Sequence, residues 1–109
     1  MDRQELFAAR AALTPGDRAA LGALIKASVR AFAEKAPGHT VELRVPPFIA
    51  VQCVEGPRHT RGTPPNVVEL SAETWLALAV GELRWADGVT DGRISAHGPR
   101  SDLSQLLPL

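Results

Sequence analysis

The side chains able to do chemistry in this chain gather between residues 52 and 61, with two tryptophans further on. Arg58, His59 and Arg61 share a stretch, Gly56 to Asn66, that also holds three prolines and two glycines. Two guanidiniums and an imidazole beside glycine amides can clamp a carboxylate or phosphate, with arginine making the bidentate contact. The competing assignment is a solvated loop whose arginines pair with Glu42, Glu55 or Glu69. Gln52 lies mid-strand among apolar neighbours and needs a hydrogen-bond partner from the backbone, the loop or a ligand. Trp75 and Trp85, ten residues apart, either fill a core or wall a cavity, since large rings leave gaps where they meet.

Other chemistries find no support. His39, His59 and His97 are the only imidazoles, and no two have the close spacing of zinc ligands, so no metal is expected. Cys53, the single thiol, sits in Val51-Gln52-Cys53-Val54 and reads as a small buried apolar side chain rather than a nucleophile; alone, it can form no internal disulfide. There is no serine-centred elbow, GxGxxG or phosphate loop, which leaves hydrolase and nucleotide readings without a basis. Neither a catalytic constellation nor a cofactor is expected. Twelve basic against twelve acidic side chains leave no net field to attract a phosphate backbone, so nucleic acid is not an expected partner. With neither a charged-then-apolar leader nor an apolar run of about 18 residues, the expectation is a cytoplasmic protein without integral membrane association.

The elements that must position these residues read in order. Asp2 and Glu5 have capping-box spacing before a short amphipathic helix carrying Leu6, Phe7 and Leu13. Thr14-Pro15-Gly16-Asp17 reads as a second helix start, with cap hydroxyl, proline at the first helical position and a carboxylate in the first turn. Leu21, Leu24, Ile25, Ser28 and Phe32 then form one stripe, and Pro37-Gly38 ends the run. Thr40 to Val45 alternates strictly, as a strand with one wet face nearer the sheet edge. Phe48 to Val54 is apolar on both faces, which predicts a more central strand covered on both sides. Val67 to Leu70 follows, and a meander of three antiparallel strands is the economical arrangement. Ser71 caps a helix with Trp75, Leu76 and Leu78 that ends at Gly81. Trp85 to Val89 makes a further turn closed by Gly92, Arg93 to His97 another strand, and Ser101 caps a last helix with Leu103, Leu106 and Leu107 on one face. The order is that of an α+β domain with a mixed, mostly antiparallel sheet of four to five strands covered by helices. At 109 residues and 45% hydrophobic, a single domain is expected, residues 1–37 supplying N-terminal helices and 38–109 the sheet and its covering helices.

Three stretches carry a family resemblance: Gly62-Thr63-Pro64-Pro65-Asn66-Val67-Val68-Glu69-Leu70, Thr74-Trp75-Leu76-Ala77-Leu78 with Gly81, and Trp85-Ala86-Asp87-Gly88 with Gly92-Arg93-Ile94-Ser95-Ala96-His97-Gly98. They resemble the second half of the sterol carrier protein family, in particular its small bacterial members. The segment from Val45 to Leu70 resembles actinobacterial proteins named only as sterol-carrier-like, and the resemblance covers about residues 38–109. It implies helices over one face of a mixed sheet, with an apolar tunnel between them for fatty acyl chains or sterols. The same module is similar to the C-terminal domain of mycothiol-dependent maleylpyruvate isomerases, whose metal-binding helical bundle has no counterpart in these residues.

Pattern and resemblance together set a non-enzymatic expectation: an apolar ligand, fatty acyl or sterol-like, held between sheet and helices. The candidate contacts are Phe48, Val51, Gln52, Arg58, His59, Arg61, Trp75 and Trp85. The alternative is an accessory or interaction domain with a filled core, homodimeric through a sheet edge or the N-terminal helix. A third reading makes the chain a partner subunit of a thiol-dependent isomerase, with Arg58 or Arg61 holding an acidic substrate.

Overall fold

A computed structural model describes residues 1–56 and 65–109. Two helices open the chain, α1 (Arg3–Ala11) and α2 (Arg18–Lys35), followed by strands β1 (Val41–Val45), β2 (Ile49–Cys53) and β3 (Asn66–Leu70). Then come α3 (Ala72–Ala79), α4 (Trp85–Thr90), β4 (Ile94–His97) and a single 3₁₀ turn, Ser104–Leu106. The capping box is present, with the Glu5 amide donating to Asp2 at 2.8 Å and the Asp2 amide to Glu5 at 3.4 Å. Ser71 caps α3 by accepting the Thr74 amide at 3.2 Å, and Gly81 and Gly92 close α3 and α4 at φ of 84° and 86°.

The second helix starts later than its proline suggests. Gly16 sits at φ 83°, which no residue inside a right-handed helix adopts, so Thr14–Gly16 forms a turn. Asp17 is the N-cap, accepting the Ala20 amide at 3.0 Å. The expected apolar stripe then faces inward, with Leu24, Ile25, Ser28 and Phe32 buried together with Gly22 and Val29.

Among the described residues the strands form one mixed sheet in the order β2-β1-β3-β4. β1 runs parallel to β3, whereas β1–β2 and β3–β4 are antiparallel, so the three-stranded meander does not form. β2 and β3 flank β1 on opposite sides: Val41 pairs with Cys53 on one and Asn66 on the other. This exchanges the expected positions of the first two strands. β1 is internal, and no described strand pairs the outer edge of β2. Ala50 and Gln52 are exposed, so the two-sided cover expected for Phe48–Val54 is absent there. An edge strand tolerates apolar residues on both faces without burying both.

The described helices pack on one face of the sheet. Val41, Leu43, Val45, Cys53, Val68, Leu70 and Ile94 point into the core, while Ala50, Gln52, Glu69, Ser95 and His97 are exposed on the other face. The core is continuous through Leu6, Ile25, Phe32, Trp75, Leu78 and Leu103, each at most 2% exposed.

The end of β2 needs close backbone approach to the segment before β1. Val54 donates its amide to the Ala36 carbonyl at 2.7 Å and accepts the Thr40 amide at 3.1 Å. Gly38, at φ 146°, lies so near the Val54 carbonyl that any Cβ would collide with it. The last expected helix is only the 3₁₀ turn, because the Ser101 hydroxyl donates to the Gly98 carbonyl at 2.8 Å instead of capping. Leu103 is buried in the core, and the tail is tied down by Lys35, which donates to the carbonyls of Leu106 and Pro108, and by the Leu109 amide on the Ala79 carbonyl.

Candidate functional site

Trp75 comes from α3 onto the inner face of α2. It is fully buried, its ring edge-on to Phe32 with centroids 5.6 Å apart and planes at 83°. Its indole N–H donates to the Ser28 hydroxyl at 2.9 Å, and that hydroxyl donates to the Ile25 carbonyl at 3.1 Å. Every polar atom of the cluster is thus satisfied without a ligand. Trp75 belongs to the core and lines none of the grooves described below.

The remaining candidates are dispersed. Val51 is half-buried against the core. Gln52 is exposed on the open sheet face, and its Oε1 lies 2.8 Å from His39 Nδ1, on the loop entering β1. Phe48 precedes β2 and packs on α2: a Cβ on Gly22 would stand 3.0 Å from its ring, and the Arg18 guanidinium lies 5.5 Å from the ring centroid. Trp85 opens α4 and is half-buried beside the C-terminal segment. Arg58, His59 and Arg61 lie outside the described residues. The structure therefore does not bring Phe48, Gln52, Trp75 and Trp85 to one cavity.

Among the described residues, grooves open on the surface instead, and three of them are large enough to matter. One of about 530 Å³ lies between the α1–α2 turn and α3. Leu13, Leu21 and Leu76 form its floor; Arg10, Arg18 and Glu73 stand at its rim. Arg10, 2.7 Å from Glu82, and Arg18, which leans over Phe48, are matched in the lining by Asp17 and Glu73, so the groove's own charges balance. A second, about 510 Å³, runs along the small-residue face of α2 below Phe48, and a third, about 430 Å³, lies against Trp85. All three volumes fall in the roughly 300–1,000 Å³ range of small-molecule sites.

The first groove was hidden from sequence reading for a definite reason. Thr14-Pro15-Gly16-Asp17 carries every mark of a helix start, and reading it so removes the turn that walls the groove. The usable signal was Gly16, which a helix interior disfavours and a left-handed turn requires. Leu13 and Leu21, on either side of this turn, then stand apart from the packed stripe as half-buried residues.

Cys53 is fully buried at the end of β2, and burial pushes its thiol up to about 11. A thiolate is therefore scarce at neutral pH, which removes it as a nucleophile. Thiol-reactive reagents should modify the native protein on the order of a hundredfold more slowly than the unfolded chain, whose thiol titrates near 8.5. A colorimetric disulfide reagent at pH 8, with and without denaturant, measures this ratio; equal rates would contradict the burial. Because the folded state keeps its proton longer, stability should fall as pH rises from about 9 to about 11, and Cys53→Ala should remove that slope. Among the described residues no three His, Cys, Asp or Glu side chains converge as metal ligands, and no helix is long and apolar enough to cross a membrane.

A mixed sheet with the described helices packed on it and an apolar core between the layers defines an α+β domain. The model of the family described as bacterial SCP ortholog matches residues 17–109, and the chain belongs to that family of sterol-carrier-like domains. No curated protein matches it.

Proposed function

We propose that this domain binds an uncharged apolar ligand, acyl or sterol-like in shape, in the groove between the α1–α2 turn and α3. The observation that carries the reading is the apolar lining of Leu13, Leu21 and Leu76 among charges that balance, Arg10 and Arg18 against Asp17 and Glu73. An apolar surface so placed gains about 25 cal/mol per Å² removed from water, and an uncharged ligand brings no charge of its own to desolvate. The groove lies apart from the core between sheet and helices, to which Phe32, Trp75, Leu43 and Val68 belong as buried residues. The family supports lipid carriage in general, and no covalent step is assigned to the domain.

Titration of the purified protein with fluorescent acyl and sterol analogues, with native mass spectrometry of copurifying molecules, tests this. Leu21→Glu places a charge on the groove floor at a half-buried position and should weaken binding at least tenfold while leaving the fold intact. Unchanged affinity in that variant, or no binding by the parent protein, would refute the groove as the site.

A second reading, an interaction domain that holds no ligand, rests on an exposed apolar side chain and an open sheet edge. Phe7 is 55% exposed on α1 and the outer edge of β2 has no described partner. Under this reading the mass in light scattering rises with concentration and Phe7→Ser abolishes the rise.

A further inference from the structure

The groove against Trp85 differs from the first in its electrostatics. Leu78, Leu83, Leu107 and the half-buried ring of Trp85 form an apolar basin of about 430 Å³, and Arg3 and Arg84 are its only charged lining residues. None of its lining residues is acidic, and among the described residues neither arginine takes part in an ion pair. Of the carboxylates close in the chain, Glu82 pairs with Arg10, Asp2 and Glu5 hold each other's amides in the capping box, and Asp102 accepts the Ser104 amide; Asp87, on α4, is paired with neither arginine.

The walls are held in place from outside the groove. Lys35 secures the Leu106 and Pro108 carbonyls, and the Leu109 amide is bound to Ala79, so the basin does not depend on a ligand to form. Gly81, at φ 84°, leaves room beside it: a Cβ there would lie 3.5 Å from Pro108 and 3.7 Å from an Arg3 guanidinium nitrogen. Arg3 therefore stands over the groove at the Pro108 end, while Arg84 adjoins Trp85 in the chain.

We infer that this groove is a second binding site, specific for compact apolar carboxylates, whose hydrocarbon lies along Trp85 and Leu83 while Arg3 and Arg84 take the carboxylate. A guanidinium matches a carboxylate bidentately, and an apolar basin with an uncompensated positive rim selects an anion over its neutral isostere. The site is distinct from the α1–α2 groove, with which it shares no lining residue.

The two tryptophans supply the test. In ¹H–¹⁵N spectra their indole N–H groups give separate signals, Trp75 reporting the core and Trp85 the groove. Titration with 4-phenylbutyrate should move the Trp85 signal saturably and leave that of Trp75 in place. The neutral 4-phenylbutanol should bind at least tenfold more weakly, and the preference should shrink as salt is raised. Arg3→Gln with Arg84→Gln should weaken phenylbutyrate about tenfold, an unmoved Trp75 signal certifying the fold, whereas Leu21→Glu should leave the Trp85 response unchanged. An unresponsive Trp85 signal, equal affinity for acid and alcohol, or unaltered binding in the double glutamine variant would each overturn the proposal.

Discussion

Replacing Trp75 by alanine is expected to cost about 3–5 kcal/mol in chemical denaturation, the upper range for a single core residue. The ring is wholly buried between α2 and α3, and its edge-on contact with Phe32 adds about 0.5–1.5 kcal/mol to what area alone supplies. Since domains of this size have about 5–15 kcal/mol in total, the variant should lie near the limit of folding. The polar part of the loss separates cleanly. Trp75→Phe removes the indole donor but leaves the Ser28 hydroxyl with its bond to the Ile25 carbonyl, so it strands nothing. Ser28→Ala, by contrast, leaves a buried N–H without an acceptor, at about 1–3 kcal/mol. In this polar part the smaller residue should therefore be the more sensitive of the two, and a double-mutant cycle between them should give a coupling of about 1 kcal/mol. A Trp75→Ala cost below about 1 kcal/mol, judged against the usual range for core truncations, would mean the ring is not packed as described.

How far the sequence discloses this arrangement depends on the range over which each signal acts. Caps act over three residues, and those at Asp2 and Ser71 are where their side chains place them. The stripe from Leu24 to Phe32 acts over one helix, and it too is buried as its spacing requires. Strand order acts across the chain, and periodicity is silent on it: a two-sided apolar strand such as Ile49–Cys53 suits the middle of a sheet, yet it stands at the edge. At the end of that strand stands Gly38, whose missing side chain admits the Val54 backbone. Glycine reads in sequence as a breaker, and only the fold reveals what approaches it. The grooves are harder still, because each is assembled from distant segments: residues 10 to 21 with α3 in one case, and Arg3, residues 78 to 86 and the C-terminal segment in the other. Trp85 was visible as a candidate, whereas its arginine neighbour from α1 was not.

The second large effect belongs to Asn66, and Asn66→Ala should destabilise the protein by about 2–4 kcal/mol. Its side chain, 2% exposed, joins three segments: the amide group donates to the Thr40 carbonyl at 2.9 Å, and the amide oxygen accepts the Arg100 amide at 2.9 Å. Gly98 accommodates it from the third side, since a Cβ there would run into the Asn66 oxygen. Alanine strands a buried carbonyl at about 1–3 kcal/mol and forfeits a further bond worth about 1 kcal/mol. Asn66→Asp makes a sharper test, because it keeps the acceptor for Arg100 but turns an ionised oxygen toward the Thr40 carbonyl. Burial and that carbonyl would raise the new carboxyl's pKa in the folded state. The protonated form supplies a donor again, so the variant should be most stable below the unfolded value of about 3.9 and should lose stability as pH rises through the folded pKa. The parent protein, with a neutral amide at this position, has no such dependence from residue 66. The stability difference between the two should therefore widen from pH 3 to pH 7; a difference independent of pH would show that Asn66 does not donate to Thr40, and that the sheet end is held by backbone contacts alone.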